Sequence, residues 1–209
     1  MRRFELHPED PQPRLLRQAA DALRPGAVAA LPTDACYVLA CRLDDKAAVE
    51  RLRAIRGIDE RHLLTLLCRD LAEIATYATV DNRQYRFLKA HTPGAYTFVL
   101  PATKEVPRRL WHPSRKTLGM RVPDSPVVLG LIEALGEPLL ASTLTLPGDD
   151  APLADPEEIL DRIGKQIDLL LDIGPVGTRP TTIIDLTAEE PTVTRIGCGE
   201  VGHLRVRET

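Results

Sequence analysis

Segments with helical periodicity and short apolar runs follow one another along almost the whole chain. Apolar residues recur at helical spacing within 15–23 and 45–56, whereas 27–31 and 96–100 are short apolar runs typical of buried strands. The last strand candidates are too close in sequence to be joined by helical crossovers, which parallel neighbours need; they cover 167–171, 182–186 and 193–196. The sequence therefore predicts one α/β or α+β domain with a twisted mixed sheet and flanking helices.

The remaining elements follow from the same patterns. Further strands are predicted at 63–68, 118–122 and 138–144, and further helices within 71–91, at 127–135 and from Pro156 to about Gly164. The last of these helices has Asp155 at the expected N-cap, followed by proline at the first helical position. Between 101 and 116 a long proline-containing segment connects two strands.

The composition indicates an ordinary core and no strong overall charge. Of 209 residues, 44% are hydrophobic, and 27 Lys and Arg face 30 Asp and Glu, which leaves a net charge of -3. This balance gives no overall attraction to nucleic acid or to an anionic membrane, so any such binding needs a local patch. Residues 1–14 contain no apolar stretch, and no later run approaches the roughly 20 apolar residues of a membrane span. We therefore expect a cytoplasmic protein without a membrane partner.

The cysteines indicate buried thiols rather than disulfides or a zinc site. Cys36, Cys41, Cys68 and Cys198 lie mostly in apolar, strand-like surroundings and lack CxxC spacing. The five histidines follow no ligand or triad spacing, and no metal site is predicted. The sequence also lacks GxxxxGK[ST], GxGxxG, GxSxG and HExxH signatures, which excludes the common nucleotide-binding and hydrolase schemes.

Polar side chains gather where predicted strands end, which is where ligands usually bind in open α/β sheets. They are Thr33, Asp34 and Tyr37 after the first strand, Arg121 in LGMRVP, Thr143 and Thr145 in STLTLPG, and Thr181 and Thr182 before IIDL. The pattern also fits a structural explanation, because threonine favours strands and turn hydroxyls satisfy nearby backbone groups. Both interpretations are open at this point.

Basic residues are concentrated in two short segments. Between 104 and 121 six Lys and Arg side chains accompany a single acid, Glu105, and a second group comprises Arg51, Arg53 and Arg56. Guanidinium forks suit phosphate groups because they bind two oxygens at once. A solvated surface paired with nearby carboxylates is the alternative explanation.

Several segments together resemble the YrdC-like family, the threonylcarbamoyl-AMP synthases, and more closely its YciO branch. They are, in order, LPTDACYVLAC, TPGAYTFVLPATKEVPRRL, RKTLGMRVP, GEPLLASTLTLPG, PTTIIDL and TRIGCG. The resemblance covers residues 12–199, with 1–11 and 200–209 as terminal extensions of the same domain. It implies a single YrdC-like domain whose twisted sheet carries a concave basic cavity.

The resemblance implies a nucleotidyltransferase that binds ATP and L-threonine in this cavity. In such proteins threonine, bicarbonate and ATP form threonylcarbamoyl-adenylate with release of pyrophosphate, and the product serves to modify adenosine next to the anticodon of tRNA. ATP is expected as a substrate rather than a resident cofactor, with Mg2+ bridging its phosphate oxygens. No covalent protein nucleophile is required.

The family's motifs imply a set of binding residues. Thr33 and Tyr37 match the hydroxyl and the tyrosine that contact threonine, and Arg121 matches an arginine suited to a substrate carboxylate. Thr181 matches a position that is usually serine, and Arg195 matches an arginine near the nucleotide phosphates.

The positions implied to be catalytic, Arg56, Thr143 and Thr145, include departures from the family. The Lys-x-Arg motif is Ala54-Ile55-Arg56 here, so its ammonium group is missing, and the Ser-x-Asn motif is Thr143-Leu144-Thr145, which lacks a carboxamide. Removing a cation that neutralises a transferring phosphate typically costs several kcal/mol of transition-state stabilisation. The resemblance therefore implies binding of ATP or AMP and threonine, with weak or lost synthase activity.

Two other functions are open. The basic concavity also resembles a surface for double-stranded RNA or tRNA, in a protein related to translation or ribosome maturation; such binding would weaken with salt as counterions are released. A nucleotide sensor without turnover is the second alternative, and its sequence would look like that of a weak enzyme.

Overall fold

A mixed β-sheet extends through the molecule in the computed structural model, which describes residues 1–23, 26–202 and 204–207. Eleven strands are found within these ranges: β1 Arg2–Glu5, β2 Ala29–Pro32, β3 Tyr37–Arg42, β4 Thr65–Leu67, β5 Tyr96–Pro101, β6 Thr117–Arg121, β7 Leu139–Thr143, β8 Leu169–Asp172, β9 Thr182–Asp185, β10 Thr192–Arg195 and β11 Arg205–Val206. Their order across the sheet is β1-β8-β2-β3-β7-β4-β6-β5-β9-β10-β11. Parallel and antiparallel neighbours alternate irregularly, so the predicted mixed α/β fold is confirmed.

The described part of the chain forms six α-helices beside the sheet. They are α1 Pro13–Leu23, α2 Lys46–Arg56, α3 Leu71–Tyr77, α4 Asn82–His91, α5 Pro126–Leu135 and α6 Pro156–Ile163. Asp155 caps α6 by accepting a hydrogen bond from the Glu157 amide, as its position before a proline predicts. The helical pattern within 71–91 is divided into α3 and α4, because Ala78 pairs with Ala102 as a β-bridge and Asp81 begins a new helix with a capping box.

The polar stretch inside the first apolar segment is a turn between two antiparallel strands. Residues 33–36 connect β2 to β3, and the Thr33 amide donates to the Cys36 carbonyl at 3.2 Å. The Thr33 hydroxyl accepts hydrogen bonds from the amides of Ala35 and Cys36 at 3.1 and 3.2 Å and donates to the Cys36 carbonyl at 2.7 Å. This hydroxyl therefore closes the turn, as serine and threonine commonly do.

The two faces of the sheet are covered to different extents, and strand alternation assigns each side chain to one of them. On β3, Tyr37, Leu39 and Cys41 face a core that includes side chains of α2, α3, α4 and α6. Val38 and Ala40 face a second core formed with α1 and α5. Within the described residues, the first core spans strands from β8 to β10, whereas the second includes no side chain of β5, β6, β9 or β10. Part of the second face is thus left without a helical cover.

Both edges of the sheet come from segments that the sequence pattern leaves unassigned. β1 lies within 1–11 and pairs in parallel with β8, and β11 lies within 200–209 and pairs in parallel with β10. The two terminal segments therefore contribute strands to the same sheet. A helix long and apolar enough to cross a membrane is not found among the residues described.

Candidate functional site

A cavity of about 290 Å³ lies on the part of the sheet that α1 and α5 leave uncovered. Its lining includes Thr65 of β4, Thr97 of β5, Arg121 of β6 and Ile183 of β9. Its wall nearest the helices consists of Val38, Leu67 and Ala141, which also belong to the core beneath α1 and α5. The cavity is therefore a consequence of strand alternation and of where the helical layer ends.

The cavity wall combines positive charge with hydroxyl groups. Arg61, Arg121 and Arg195 line it, together with serine and threonine side chains at 65, 97, 142, 143 and 181. The lining described by the structure includes no aspartate or glutamate. Guanidinium groups and hydroxyls without a facing acid are suited to a ligand with phosphate or carboxylate oxygens.

Glycine at position 119 of β6 allows two cavity threonines to approach closely. A Cβ atom there would lie 2.9 Å from the Thr65 hydroxyl oxygen, 2.9 Å from the Thr97 Cγ2 and 3.0 Å from the Leu64 carbonyl. Because two of these atoms belong to β-branched side chains and one to backbone, only glycine fits without a shift. Gly119 therefore determines the spacing of the two threonines.

Arg121 is held rigidly at the end of β6. Its side chain is 3% exposed and forms an ion pair with Asp34, whose side chain is 16% exposed. The guanidinium also donates to the Gly94 carbonyl at 3.3 Å and lies 3.5 Å from the Thr33 hydroxyl. A guanidinium has five N–H donors, so Arg121 keeps donors for a ligand in the cavity that it lines.

Thr181 and Arg195 form one hydrogen-bonded group on the far side of the cavity. The Arg195 guanidinium donates to the Thr181 carbonyl at 2.9 and 3.2 Å and to the Thr181 hydroxyl at 3.2 Å. That hydroxyl is also 2.8 Å from the hydroxyl of Thr97. The contacts orient Arg195 from behind, which reduces the entropy that a ligand would have to overcome.

The three predicted catalytic residues lie at different positions relative to the cavity wall. Thr143 lines the cavity at the end of β7, and Arg56 donates from behind the wall to the Ser142 hydroxyl at 3.2 Å. Partial burial lowers the pKa of Arg56, an effect opposed by the nearby Cys36. Thr145 is partly exposed beyond β7, outside the cavity lining, and its amide donates to the Thr143 carbonyl at 3.0 Å.

The turn residues Thr33 and Tyr37 do not line the cavity. Thr33 contacts Arg121 beneath the wall, as described above. The fully buried Tyr37 points toward the core on the opposite face, where its hydroxyl donates to the Gly174 carbonyl at 3.0 Å. Burial raises the pKa of Tyr37 well above its usual range. Contact of either side chain with a substrate stays a prediction.

The Cys36 thiol is buried between these groups. It is 1% exposed, and burial raises its pKa to about 11, a shift that Arg121 opposes. Cys41 and Cys68 are buried as well, whereas Cys198 is partly exposed, so the expectation of buried thiols holds for three of the four.

Several polar residues of the cavity wall are not among the candidates that the sequence suggests: Arg61, His62, Thr65, Thr97 and Ser142. Arg61 and His62 lie on the segment between α2 and β4, which contains no recognisable motif. The spacing of the histidines indicates no ligand set or triad, and His62 shares its site with arginines. The concentration of basic residues just before it, at 51–56, is the signal that could have drawn attention to this segment.

The described residues offer no ready-made metal site. No group of three or more His, Cys, Asp and Glu side chains among them could hold a metal ion. Asp34, an acid beside the cavity-lining Arg121, is already paired with it. The described residues therefore provide no preformed cluster of three ligands for Mg2+.

Comparisons with known proteins identify the family to which the chain belongs. A family model named Sua5_yciO_yrdC and described as telomere recombination matches residues 21–197. The chain is 52% identical to YciO of Escherichia coli strain K12 over 198 residues, which are 95% of this chain and 96% of that protein. The crystal structure of E. coli YciO has a TM-score of 0.93 and covers 96% of this chain and 98% of its own.

Two more distant relatives carry names with functional content. The threonylcarbamoyl-AMP synthase of Vibrio vulnificus strain YJ016 is 32% identical over 180 residues, 84% of this chain and 95% of that protein. The crystal structure of P. abyssi Sua5 complexed with L-threonine has a TM-score of 0.89 at 24% identity. It matches over 99% of this chain and 63% of the Sua5 chain, a likeness of fold.

Proposed function

The chain belongs to the Sua5/YciO/YrdC family, and from this membership we propose that its cavity binds L-threonine beside ATP or AMP and forms threonylcarbamoyl-adenylate slowly. The chemistry is adenylyl transfer. The threonine amine adds to carbon dioxide and releases a proton, or adds to bicarbonate with loss of water, to give a carbamate. A carbamate oxygen then attacks the α-phosphorus of ATP while pyrophosphate leaves. Such a reaction depends on positioning and charge stabilisation and needs no protein nucleophile.

The observation that carries this proposal is the combination of cations and hydroxyls in one cavity without a facing carboxylate in the described lining. At about 290 Å³ the cavity is at the lower end of the roughly 300–1,000 Å³ found for small-molecule sites. An amino acid and the phosphate nearest to it fit such a volume, and the rest of a nucleotide extends toward solvent. The P. abyssi Sua5 complexed with L-threonine supports an amino acid as one occupant.

Each side of the cavity suits one part of this ligand pair. Arg121, fixed by Asp34 and the Gly94 carbonyl, is the group for the threonine carboxylate. Arg195, oriented by Thr181, is the group for phosphate oxygens. Thr143 lines the cavity at the end of β7, and its hydroxyl is a donor for the threonine carboxylate or for a phosphate oxygen.

Slow turnover follows from the two departures from the family motifs. Ala54 is exposed near the end of α2, at the position that matches the lysine of the family motif. Thr145 lies where the family has an asparagine and is outside the cavity lining. Loss of one stabilising donor commonly reduces turnover by about 10²–10³-fold. Mg2+ enters this scheme only as part of the Mg-ATP substrate, because the described residues do not form a site for it.

The direct test is to incubate the protein with Mg-ATP, L-threonine and bicarbonate and to measure pyrophosphate and the adenylate. We expect slow formation, at least about tenfold faster formation in Ala54→Lys/Thr145→Asn, and loss of product in Arg195→Gln. Arg108→Gln, which removes an arginine outside the cavity, is the matched control and should leave the rate unchanged. Absence of product from both the native and the double-variant protein would overturn the synthase proposal.

A second candidate function, binding of tRNA or double-stranded RNA, is favoured by a basic groove on the long connection after β5. The groove has a volume of about 670 Å³, and its lining includes Arg108, His112, Arg115, Lys116 and the indole of Trp111. Arg109 is different, because it donates to the Asp44 carbonyl at 3.0 Å and serves the fold. Cations beside an aromatic ring are a usual surface for nucleic acid.

We expect tRNA binding, if this groove carries it, to weaken steeply with salt because counterions are released from the phosphates. The variant Arg108→Gln/Arg115→Gln/Lys116→Gln should lose binding and flatten the salt dependence, whereas Arg83→Gln/Arg86→Gln on α4 should retain both. Binding that is absent, or that is equal in both variants, would exclude this function.

A further inference from the structure

The segment between α2 and β4 is built to present two side chains to the cavity. Gly57 ends α2 in the left-handed conformation, with φ of 63°, and turns the chain toward the sheet. Arg53 donates to the Asp59 carbonyl, and the Asp59 carboxylate accepts from the Arg61 amide at 2.9 Å. The His62 amide also donates to the Asp59 carbonyl, at 3.3 Å. Asp59 is therefore occupied in bracing the segment.

His62 lies among positive charges from two separate elements. The charges of Arg53 and Arg56 on α2 and of Arg195 on β10 act on it, and Asp59 on its own segment acts in the opposite sense. His62 is exposed and lines the cavity together with Arg61 and Arg195. Partial desolvation and then Arg56, Arg53 and Arg195 lower the pKa of His62. The ring is therefore neutral at pH 7 in the free protein.

Three arginines act on the neutral His62 imidazole, and Asp59, the acid that also acts on it, is already engaged within its own segment. This group of side chains therefore carries an excess of positive charge. We propose that His62, together with Arg61 and Arg195, binds a phosphate oxyanion at the cavity mouth and becomes protonated as the anion enters. An entering anion offsets the repulsion from the three arginines and favours the imidazolium form. In this chain His62 and Arg61 thus add positive charge at the phosphate end of the cavity.

This inference deepens the proposed function, on which it rests for the identity of the ligand, by assigning the phosphate end of the same cavity. It also has its own consequence, which is that anion binding takes up a proton. In the free protein the pKa of His62 lies below its ordinary value of 6.5, and a bound anion raises it, so protonation favours binding increasingly as pH falls toward that range. Phosphate should therefore bind more tightly as pH falls from 8 to 6 than the titration of the ligand alone accounts for.

The test is calorimetric titration of the full chain with inorganic pyrophosphate at pH 6, 7 and 8, comparing the native protein with His62→Gln. The ionisation of pyrophosphate affects both affinities equally at each pH, so its effect cancels in their ratio. We expect the native protein to gain up to about tenfold in this ratio between pH 8 and pH 6 for each unit by which the anion raises the pKa of His62. His7→Gln, which removes an exposed histidine outside the cavity lining, is the matched control and should follow the native protein.

A second measurement does not depend on the variant. The imidazole resonance of His62 is followed by NMR against pH with and without pyrophosphate, and its midpoint should rise when the anion is present. A midpoint that stays in place while pyrophosphate binds, or an affinity ratio independent of pH, would overturn the inference. Bicarbonate is titrated as a separate arm, and a rise of the midpoint with bicarbonate but not with pyrophosphate would overturn the assignment to phosphate.

These outcomes are distinguishable from failure of the proposed function. Proton-linked pyrophosphate binding without adenylate formation would leave the inference standing and count against the synthase. Adenylate formation together with the same pH dependence of pyrophosphate affinity in native protein and His62→Gln would support the synthase and overturn the inference.

Discussion

Arg121 is almost completely buried, and the Asp34 carboxylate balances its charge. Its partner Asp34 sits in the β2–β3 turn, so the ion pair joins the turn to the end of β6. A buried pair adds little net stability compared with an apolar contact, but removal of one partner leaves the other charge without compensation. The pair therefore matters most for keeping Arg121 in a defined place beside the cavity.

The variant Asp34→Ala should be destabilised by about 2–4 kcal/mol, because it leaves the Arg121 guanidinium with only neutral partners. The partial exposure of Asp34 keeps this value below the upper end of the range for breaking fully buried ion pairs. Urea unfolding followed by circular dichroism measures this change. Asp124→Ala, which removes an exposed aspartate a few residues beyond β6, should change stability by less than about 0.5 kcal/mol. Equal stability of the two variants would contradict the importance of the pair.

At the scale of elements, the central strands β4, β5 and β6 form the floor of the cavity and are spaced by a glycine. Gly119 pairs with Thr65 on one side and Val99 on the other. Its lack of a side chain lets the threonines of β4 and β5 approach each other across β6. The floor is thus formed by strand packing rather than by a loop, which gives a binding site a rigid base.

Replacement Gly119→Ala should destabilise the protein by about 1–3 kcal/mol, since the new Cβ would overlap Thr65, Thr97 and the Leu64 backbone. Displacement of the two threonines should also weaken ligand binding in the cavity, and isothermal titration with ATP together with thermal unfolding reports both effects. Gly94→Ala is the control, because a Cβ there meets its nearest neighbours at 3.5 Å, an ordinary contact. If both glycine variants behaved like the native protein, the close approach would have no consequence.

At the scale of the whole molecule, three buried thiols link stability to alkaline pH: Cys41 and Cys68 in the first core and Cys36 in the turn between β2 and β3. Burial raises the pKa of Cys36 to about 11, that of Cys41 to about 12 and that of Cys68 well above its ordinary value of 9.0. The folded protein keeps these protons at a pH where the unfolded chain releases them. The thiols therefore favour the folded state fully below pH 9, and this contribution is lost as pH rises through 11 and 12.

We predict that the free energy of unfolding falls as pH rises above 9, by about 1.4 kcal/mol per pH unit for each thiol that ionises only on unfolding. Urea titrations at pH 8, 9.5 and 10.5 measure the slope. The variant Cys41→Ala/Cys68→Ala should have a shallower slope, whereas Cys198→Ala should follow the native protein because Cys198 is partly exposed. Identical slopes in all three proteins would show that the buried thiols do not control this pH dependence.

The positions of most elements could be predicted because they depend on local periodicity. The strands near 96–100, 118–122, 138–144 and 182–186 and the helices near 127–135 and 156–164 lie within a few residues of their predicted places. The edge strands β1 and β11 could not, because short strands with mostly exposed residues carry no alternation of their own and form only by pairing with distant segments.

The candidate site divides in the same way. Strand-end position marked Arg121, Thr143 and Thr181 as candidates, and the family resemblance added Arg195; the structure places all four on the wall of one cavity. Position along the chain did not tell which way Tyr37 points, because one residue decides between the two faces of a strand. Nor did it indicate His62, whose neighbours Arg56 and Arg195 are brought together only by folding.

The amino-acid sequence by itself determined the element types, the mixed character of the sheet and the family to which the chain belongs, because these depend on local periodicity and on motif order. The tertiary structure alone decided where the helical layer over the second face ends, which side chains enter the opening it leaves, and which hydroxyls are already engaged. These properties depend on contacts between segments as far apart as Asp34 and Arg121, and the free energy of such contacts is not contained in any local pattern.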